Sequence, residues 1–138
     1  MCECRENNEN FDPNIFIDSF IEKIGVKGTL LFQTFNWGFC NGKTFDYHNT
    51  NSETGSLGNV ALKRKDFKRT KHPIYSFAVW GKSQDYLCEI DNISAWGADS
   101  PFSYLYEKYA KFFFMYKTIE NSGMSFVHYI EEKVGVSY

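Results

Sequence analysis

Apolar positions follow two rhythms along this chain, and their alternation predicts its elements. Ile17, Phe20, Ile21 and Ile24 fall on one helical face, behind an Asp12-Pro13 cap and ahead of a closing Gly25. Thr29–Phe35 (TLLFQTF) is a short apolar run without helical spacing and predicts a buried strand. Residues 36–55 form a long loop rich in Gly, Asn and Thr, and loops of that length in compact domains tend to be functional. Ser56 is placed to cap a helix over about 57–65, with Lys63, Arg64 and Lys65 in a last turn that suits cations. An apolar strand over 74–80 is followed by a helical turn over Ser83–Cys88 and a second loop, Asp91–Asp99. Ser100-Pro101 repeats the cap-plus-proline signal, ahead of a helix face made by Phe102, Leu105, Tyr106 and Tyr109. Phe112–Tyr116 (FFFMY) predicts a strand buried on both sides. A last helix over about 124–133 turns Phe126, Val127 and Ile130 inward and stops near Gly135.

Helices alternating with fully apolar strands predict a three-layer α/β/α sandwich with a mixed or mostly parallel sheet. Only about three strands can be counted, and the chain ends just after a helix, so the expected sandwich is incomplete and resembles the middle of something larger. Residues 1–11 are polar and expected to fray, which leaves a single α/β domain over 12–138.

Composition narrows the function classes. The 138 residues suffice for one domain with a real core, and the 19% aromatic content makes much of that core ring packing. A net charge of −2 argues against nucleic acid or an anionic membrane as partner. The absence of a spanning run or signal-like N-terminus makes a soluble cytoplasmic protein the expectation. Cys2, Cys4, Cys40 and Cys88 are scattered apart from one C-x-C, so no metal site is expected.

The stretch from Arg69 to Gly81 carries the first candidate. Pro73 biases His72 toward an extended conformation, at the mouth of a strand where α/β proteins keep their chemistry. Arg69 and Lys71 beside it would favour a neutral imidazole able to accept a proton. The plain alternative is a histidine that satisfies a turn. The second candidate is His128, with Glu131 and Glu132 three and four residues on along a helix. A carboxylate can fix the tautomer of a base, and the alternative here is an ordinary surface ion pair. Half of a metal site is also suggested by H-x-x-E, but no second half appears. The basic run Lys63, Arg64, Lys65, Lys68, Arg69 and Lys71 has the charge to meet phosphates, but reads best as a solvated helix end with Arg69 alone in a specific role. Thr34, Asp46, Thr50, Ser52 and Glu53 put hydroxyls and carboxylates around a loop after a strand, which suits a polyol or amine. Trp37, Trp80 and Trp96 could stack on a sugar ring, or serve the core.

Together these segments resemble the aminoglycoside 3-N-acetyltransferase (antibiotic N-acetyltransferase) family. G-T-L-hydrophobic-x-x-T-F fits Gly28–Phe35, and F-D-x-x-x-T-x-S-x-x-G-x-L fits Phe45, Asp46, Thr50, Ser52, Gly55 and Leu57. The most specific element, R-[ST]-x-H-P-x-x-S-hydrophobic-A-x-x-G, fits Arg69-Thr70-Lys71-His72-Pro73 through Ser76, Ala78 and Gly81. G-x-x-S-P-[FY]-x-x-L fits Gly97, Ser100, Pro101, Phe102 and Leu105, and [TS]-F-x-H-x-x-E fits Ser125, Phe126, His128 and Glu131. These five ordered blocks cover about residues 26–134.

The resemblance implies an enzyme that uses acetyl-coenzyme A to acylate an amino group on an aminoglycoside or other amino sugar. It implies catalytic roles for His72, His128 and Glu131, with His72 as the base that takes the amine proton and the other two shaping the same pocket. Thr34, Arg69 and Ser76 would bind the cofactor, and Asp46 and Glu53 would attract the cationic acceptor. A homo-oligomer is left open. The family normally begins with a further helix and strand bearing H-S-S-L and continues beyond the H-x-x-E helix. Asn51 and Thr54 replace its usual proline and methionine, and residues 111–120 lack its glycine-rich character. These departures point to a different acceptor, such as a nucleotide-linked amino sugar. Activity is then expected to need the missing flanks or a complementing chain. The alternative is a truncated, non-catalytic remnant or binding subunit of the fold.

Overall fold

A computed structural model describes residues 10–115 and 124–136. The expectations for Cys2, Cys4, Tyr116 and most of the N-terminal stretch fall outside those residues. The chain divides into two compact units, Met1–Asp91 and Asn92–Tyr138, and each is described by itself.

The first unit opens with α1 (Pro13–Ile24), where the Asp12 carboxylate accepts from Asn14 N at 2.8 Å and Gly25 closes the helix with φ 73°. Strand β1 (Thr29–Gln33) follows, then α2 (Ser56–Leu62), β2 (Lys68–Arg69), β3 (Phe77–Gly81) and α3 (Gln84–Glu89). The cap of α2 is Gly55 and not Ser56, and the helix stops short of residue 65. Just past its end, the Arg64 guanidinium turns back to grip Asp66 at 2.8 Å and Asp18 of α1 at 2.6 Å.

Among the described strands, the sheet corrects the expected mixed or mostly parallel order. Its strands run β1-β3-β2, and both pairings are antiparallel, with Thr29↔Gly81 to Gln33↔Phe77 and Lys68↔Val79, Arg69↔Ala78. Seven residues separate β2 from β3, too few for a crossover, so the chain can only fold back as a hairpin. Strand β2 was not foreseen, because Lys68-Arg69 is charged and lacks the apolar signature of a strand.

Ile17, Ala61, Phe67 and Ala78 form the buried cluster under α1, α2 and the sheet, with Leu30, Phe32 and Trp80 packed against it. Gly58 lets α2 approach β1 closely, since a Cβ there would lie 2.5 Å from the Gln33 carbonyl oxygen.

The second unit is helical. In α4 (Pro101–Glu107) the Ser100 hydroxyl accepts from Ser103 N at 3.2 Å, as its sequence signal predicts. Phe102 and Leu105 point inward, whereas Tyr106 is 44% exposed and Tyr109 lies past the helix with φ 51°. In α5 (Phe126–Val134) the buried face centres on Tyr129 and not on Val127, which is 48% exposed. Tyr129 earns that place by packing on Tyr106 at 5.7 Å and donating to Ser103 Oγ at 3.4 Å. The expected strand over Phe112–Tyr116 is not formed among its described residues. Phe112 instead packs on Phe126 at 5.0 Å, and Phe113 is 70% exposed. An apolar run needs a neighbouring ladder to become a strand, and none of the described strands pairs with it.

Candidate functional site

In the first unit the chemistry-bearing residues converge on Arg69. Its side chain is buried, and burial pulls the guanidinium below its ordinary range. Nε donates to Ser76 Oγ at 3.0 Å, Nη1 to Thr50 O at 2.6 Å and Nη2 to Thr34 O at 3.2 Å, while the guanidinium lies 4.8 Å from the Phe45 ring. No carboxylate pairs with it among the described residues. Thr34 Oγ1 and Ser76 Oγ are 2.8 Å apart, and both residues are fully buried. Tyr47 closes the ring of contacts by donating its hydroxyl to Arg69 O, and burial pushes its phenol up. The three residues expected to bind cofactor are thus brought together, but with their polar atoms engaged by one another and by backbone carbonyls. They tie the end of β1, the 45–50 loop and the β2–β3 connection into one piece.

His72 sits in that connection, 8% exposed. Its Nδ1 accepts from Ile74 N at 3.2 Å and Tyr75 N at 3.1 Å. Pro73 has no N–H, so these are the first donors the turn can offer. A nitrogen that accepts carries a lone pair, so the neutral ring holds its proton on Nε2.

The carboxylates expected to attract substrate are both exposed and both hold the loop. Asp46 accepts from His48 N at 2.9 Å and Asn49 N at 3.0 Å, and from Asn49 Nδ2 at 2.9 Å. These bonds, the Asn49 side chain foremost, keep its carboxyl below the usual range. Glu53 accepts from Asn36 Nδ2 and Trp37 N, each at 3.3 Å. Much of the basic run is likewise engaged: Arg64 with Asp18 and Asp66, Lys68 with Asp85 at 2.6 Å, and Lys71 with Glu89 O at 3.0 Å.

In the second unit His128 lies in the first turn of α5, with its side chain 47% exposed. Its Nδ1 is 2.9 Å from Glu131 Oε2, as the i,i+3 spacing predicts. A carboxylate accepts only, so the shared hydrogen belongs to Nδ1 and the neutral ring keeps its lone pair on Nε2. Trp96 lies 5.6 Å from the imidazole. No group of three or more His, Cys, Asp or Glu among the described residues could hold a metal ion, and no described helix is long and apolar enough to cross a membrane.

The sequence profile of aminoglycoside 3-N-acetyltransferases matches residues 7–138. The chain belongs to that family. Among solved structures the chain resembles "AAC-IIIb binary with CoASH" (TM-score 0.60, 17% identity), with 70% of this chain and 43% of that one covered. Aminoglycoside acetyltransferase AAC(3)-Xa matches with TM-score 0.61 and 23% identity over 71% of this chain and 41% of its own. The YokD protein from Bacillus subtilis matches with TM-score 0.61 and 19% identity over 70% and 48%. The matched region is therefore less than half of each of these structures, and at such identities they show the fold. A search of curated proteins finds no match.

Sequence reasoning missed Tyr47 and Phe45 as members of the Arg69 network. Their contacts bridge 22 and 24 residues of chain, and nothing local in the sequence marks such a pairing.

Proposed function

We propose that this family member carries the base-bearing part of an acetyl-coenzyme A-dependent N-acetyltransferase acting on an aminoglycoside or related amino sugar. Family membership and the fold shared with a CoASH-bound acetyltransferase support that reading. The observation that carries it is the His128–Glu131 pair at 2.9 Å.

An ammonium has no lone pair, so the acceptor reacts as the neutral amine, and its nitrogen sheds a proton as it bonds to the acetyl carbon. His128 Nε2 takes that proton, and Glu131 at Nδ1 stabilises the imidazolium that results. Acetyl-coenzyme A supplies the activated acetyl group when bound, and its thiol is the leaving group. His72 has the opposite arrangement. To act through Nε2 it would have to place an Nδ1 hydrogen against two backbone N–H groups. We therefore assign His72 to holding the β2–β3 connection and His128 to proton transfer. Thr34, Arg69 and Ser76 brace that connection from beneath, since their polar atoms face inward as they stand. Asp46 and Glu53 remain exposed and give the 36–55 loop the negative charge a cationic acceptor would meet.

Incubating the chain, alone and with a complementing chain that supplies the family's H-S-S-L segment, with acetyl-coenzyme A and a panel of aminoglycosides, and following free thiol and acetylated product, tests this reading. Acetylation abolished by His128→Asn supports it. Absence of acetyl-coenzyme A binding by calorimetry at millimolar ligand favours a non-catalytic subunit and contradicts it.

A further inference from the structure

Trp96 stands in the loop that leads into α4, and the turn around Ser94 sets its place. Ser94 Oγ accepts from Trp96 N at 3.2 Å, and Ser94 O accepts from Asn92 Nδ2 at 2.8 Å. The indole meets Phe102 edge to face, with ring centroids 4.6 Å apart and planes at 60°. Phe102 is 1% exposed, so the ring backing the indole is fixed in the core of this unit. The indole also meets His128 at 5.6 Å and 54°. A buried phenyl, an indole, an imidazole and a carboxylate thus form a row of pairwise contacts.

The row answers a difficulty in the base assignment. An ion pair three residues apart on an exposed helix face is weak and competes with water and side-chain entropy. With its side chain 47% exposed, His128 keeps one ring orientation better with an aromatic restraint in addition to Glu131. An aromatic wall restrains the ring plane, and a π face also favours the cation formed once a proton arrives. We propose that Trp96 is a positioning residue for His128, holding the imidazole so that Nδ1 stays on Glu131 and Nε2 is the proton acceptor. On α5, Lys133 is drawn over the Tyr106 ring, 4.0 Å from its centroid.

This inference rests on the proposed role of His128, but its test reads the ring and not turnover. Imidazole nitrogen chemical shifts are measured at about pH 9, where histidines are neutral, on the full 138-residue chain and on Trp96→Phe and Trp96→Leu. The wild type should hold His128 mainly as the Nδ1–H tautomer, and Trp96→Phe should keep it there. Trp96→Leu should lower the Nδ1–H to Nε2–H ratio about threefold to tenfold, the order expected when one aromatic pair is lost. An unchanged ratio in a Leu variant with native circular dichroism overturns the proposal. If that variant does not fold, the wild-type ring protons decide: upfield displacement of the His128 resonances by the indole supports the contact, and ordinary positions overturn it. A chain that acetylates through His128 with a ratio insensitive to Trp96 would refute the positioning role alone. A ratio that responds to Trp96 in a chain with no transferase activity would refute the functional reading alone.

Discussion

In the β2–β3 connection, His72 Nδ1 accepts from two backbone N–H groups; in the first turn of α5, His128 Nδ1 faces a carboxylate. The two rings are chemically identical, yet their neighbours place the neutral proton on opposite nitrogens. His72 is 8% exposed and closes a turn, whereas His128 is half exposed and has a group ready to stabilise its charge. A histidine's value as a base is therefore set less by its motif than by what faces its second nitrogen.

Substitutions can break this contrast. The largest effect is expected at His128: His128→Asn should lower acetyl transfer about 10²–10⁴-fold, the range of a lost general base, with the fold retained by circular dichroism. His72→Asn should stay within about tenfold of wild type, because an Asn side chain can also accept from a backbone N–H two residues on. A loss at His72→Asn as large as that at His128→Asn would erase the distinction between the rings.

Stability measurements sharpen it further. Arg69→Met should cost about 3 kcal/mol in urea unfolding, since Thr50 O loses its charged donor and Thr34 O keeps only the Ser76 hydroxyl. A cost under about 1 kcal/mol would show that the network does not hold the loop. His72→Ala should cost about 1–3 kcal/mol by stranding two N–H groups. His128→Ala should leave stability nearly unchanged, as befits an exposed pair.

Two smaller effects probe the surroundings. Burial pushes the Cys88 thiol up to about 11, so at pH 8 its thiolate is about a hundredfold scarcer than that of an ordinary cysteine. Iodoacetamide should therefore label exposed Cys40 well before Cys88, as peptide mass spectrometry would show. The Arg64 guanidinium holds the Asp66 carboxyl below its ordinary value. That contribution is complete above the unfolded carboxyl's pKa and is lost as pH falls through the lower folded value. Asp66→Asn should thus cost at most about 1 kcal/mol at neutral pH and nothing in strong acid.

Local signals carried over well into the structure. Asp12-Pro13 and Ser100-Pro101 start helices, Gly25 and Gly135 end them, and the His128–Glu131 spacing gives a bonded pair. Each of these depends on residues within one turn of each other. Features set by distant partners were not legible. Lys68-Arg69 becomes a strand only because β3 lies beside it, and FFFMY reads as a strand whose described part finds no such neighbour. The order of the sheet followed from a connection whose length was visible only once β2 was recognised. In the site, Arg69 was marked as specific, but its partners Tyr47 and Thr50 are reached across 22 and 19 residues. Trp96 was visible as a tryptophan, though not as the neighbour of an imidazole 32 positions along the chain.

The contrast between the two histidines is tested most directly by assigning the imidazole nitrogens of both rings in one sample at about pH 9. Neutral His72 is predicted to carry its hydrogen on Nε2 and neutral His128 on Nδ1. The same tautomer at both positions, or the reverse pair, would contradict the account.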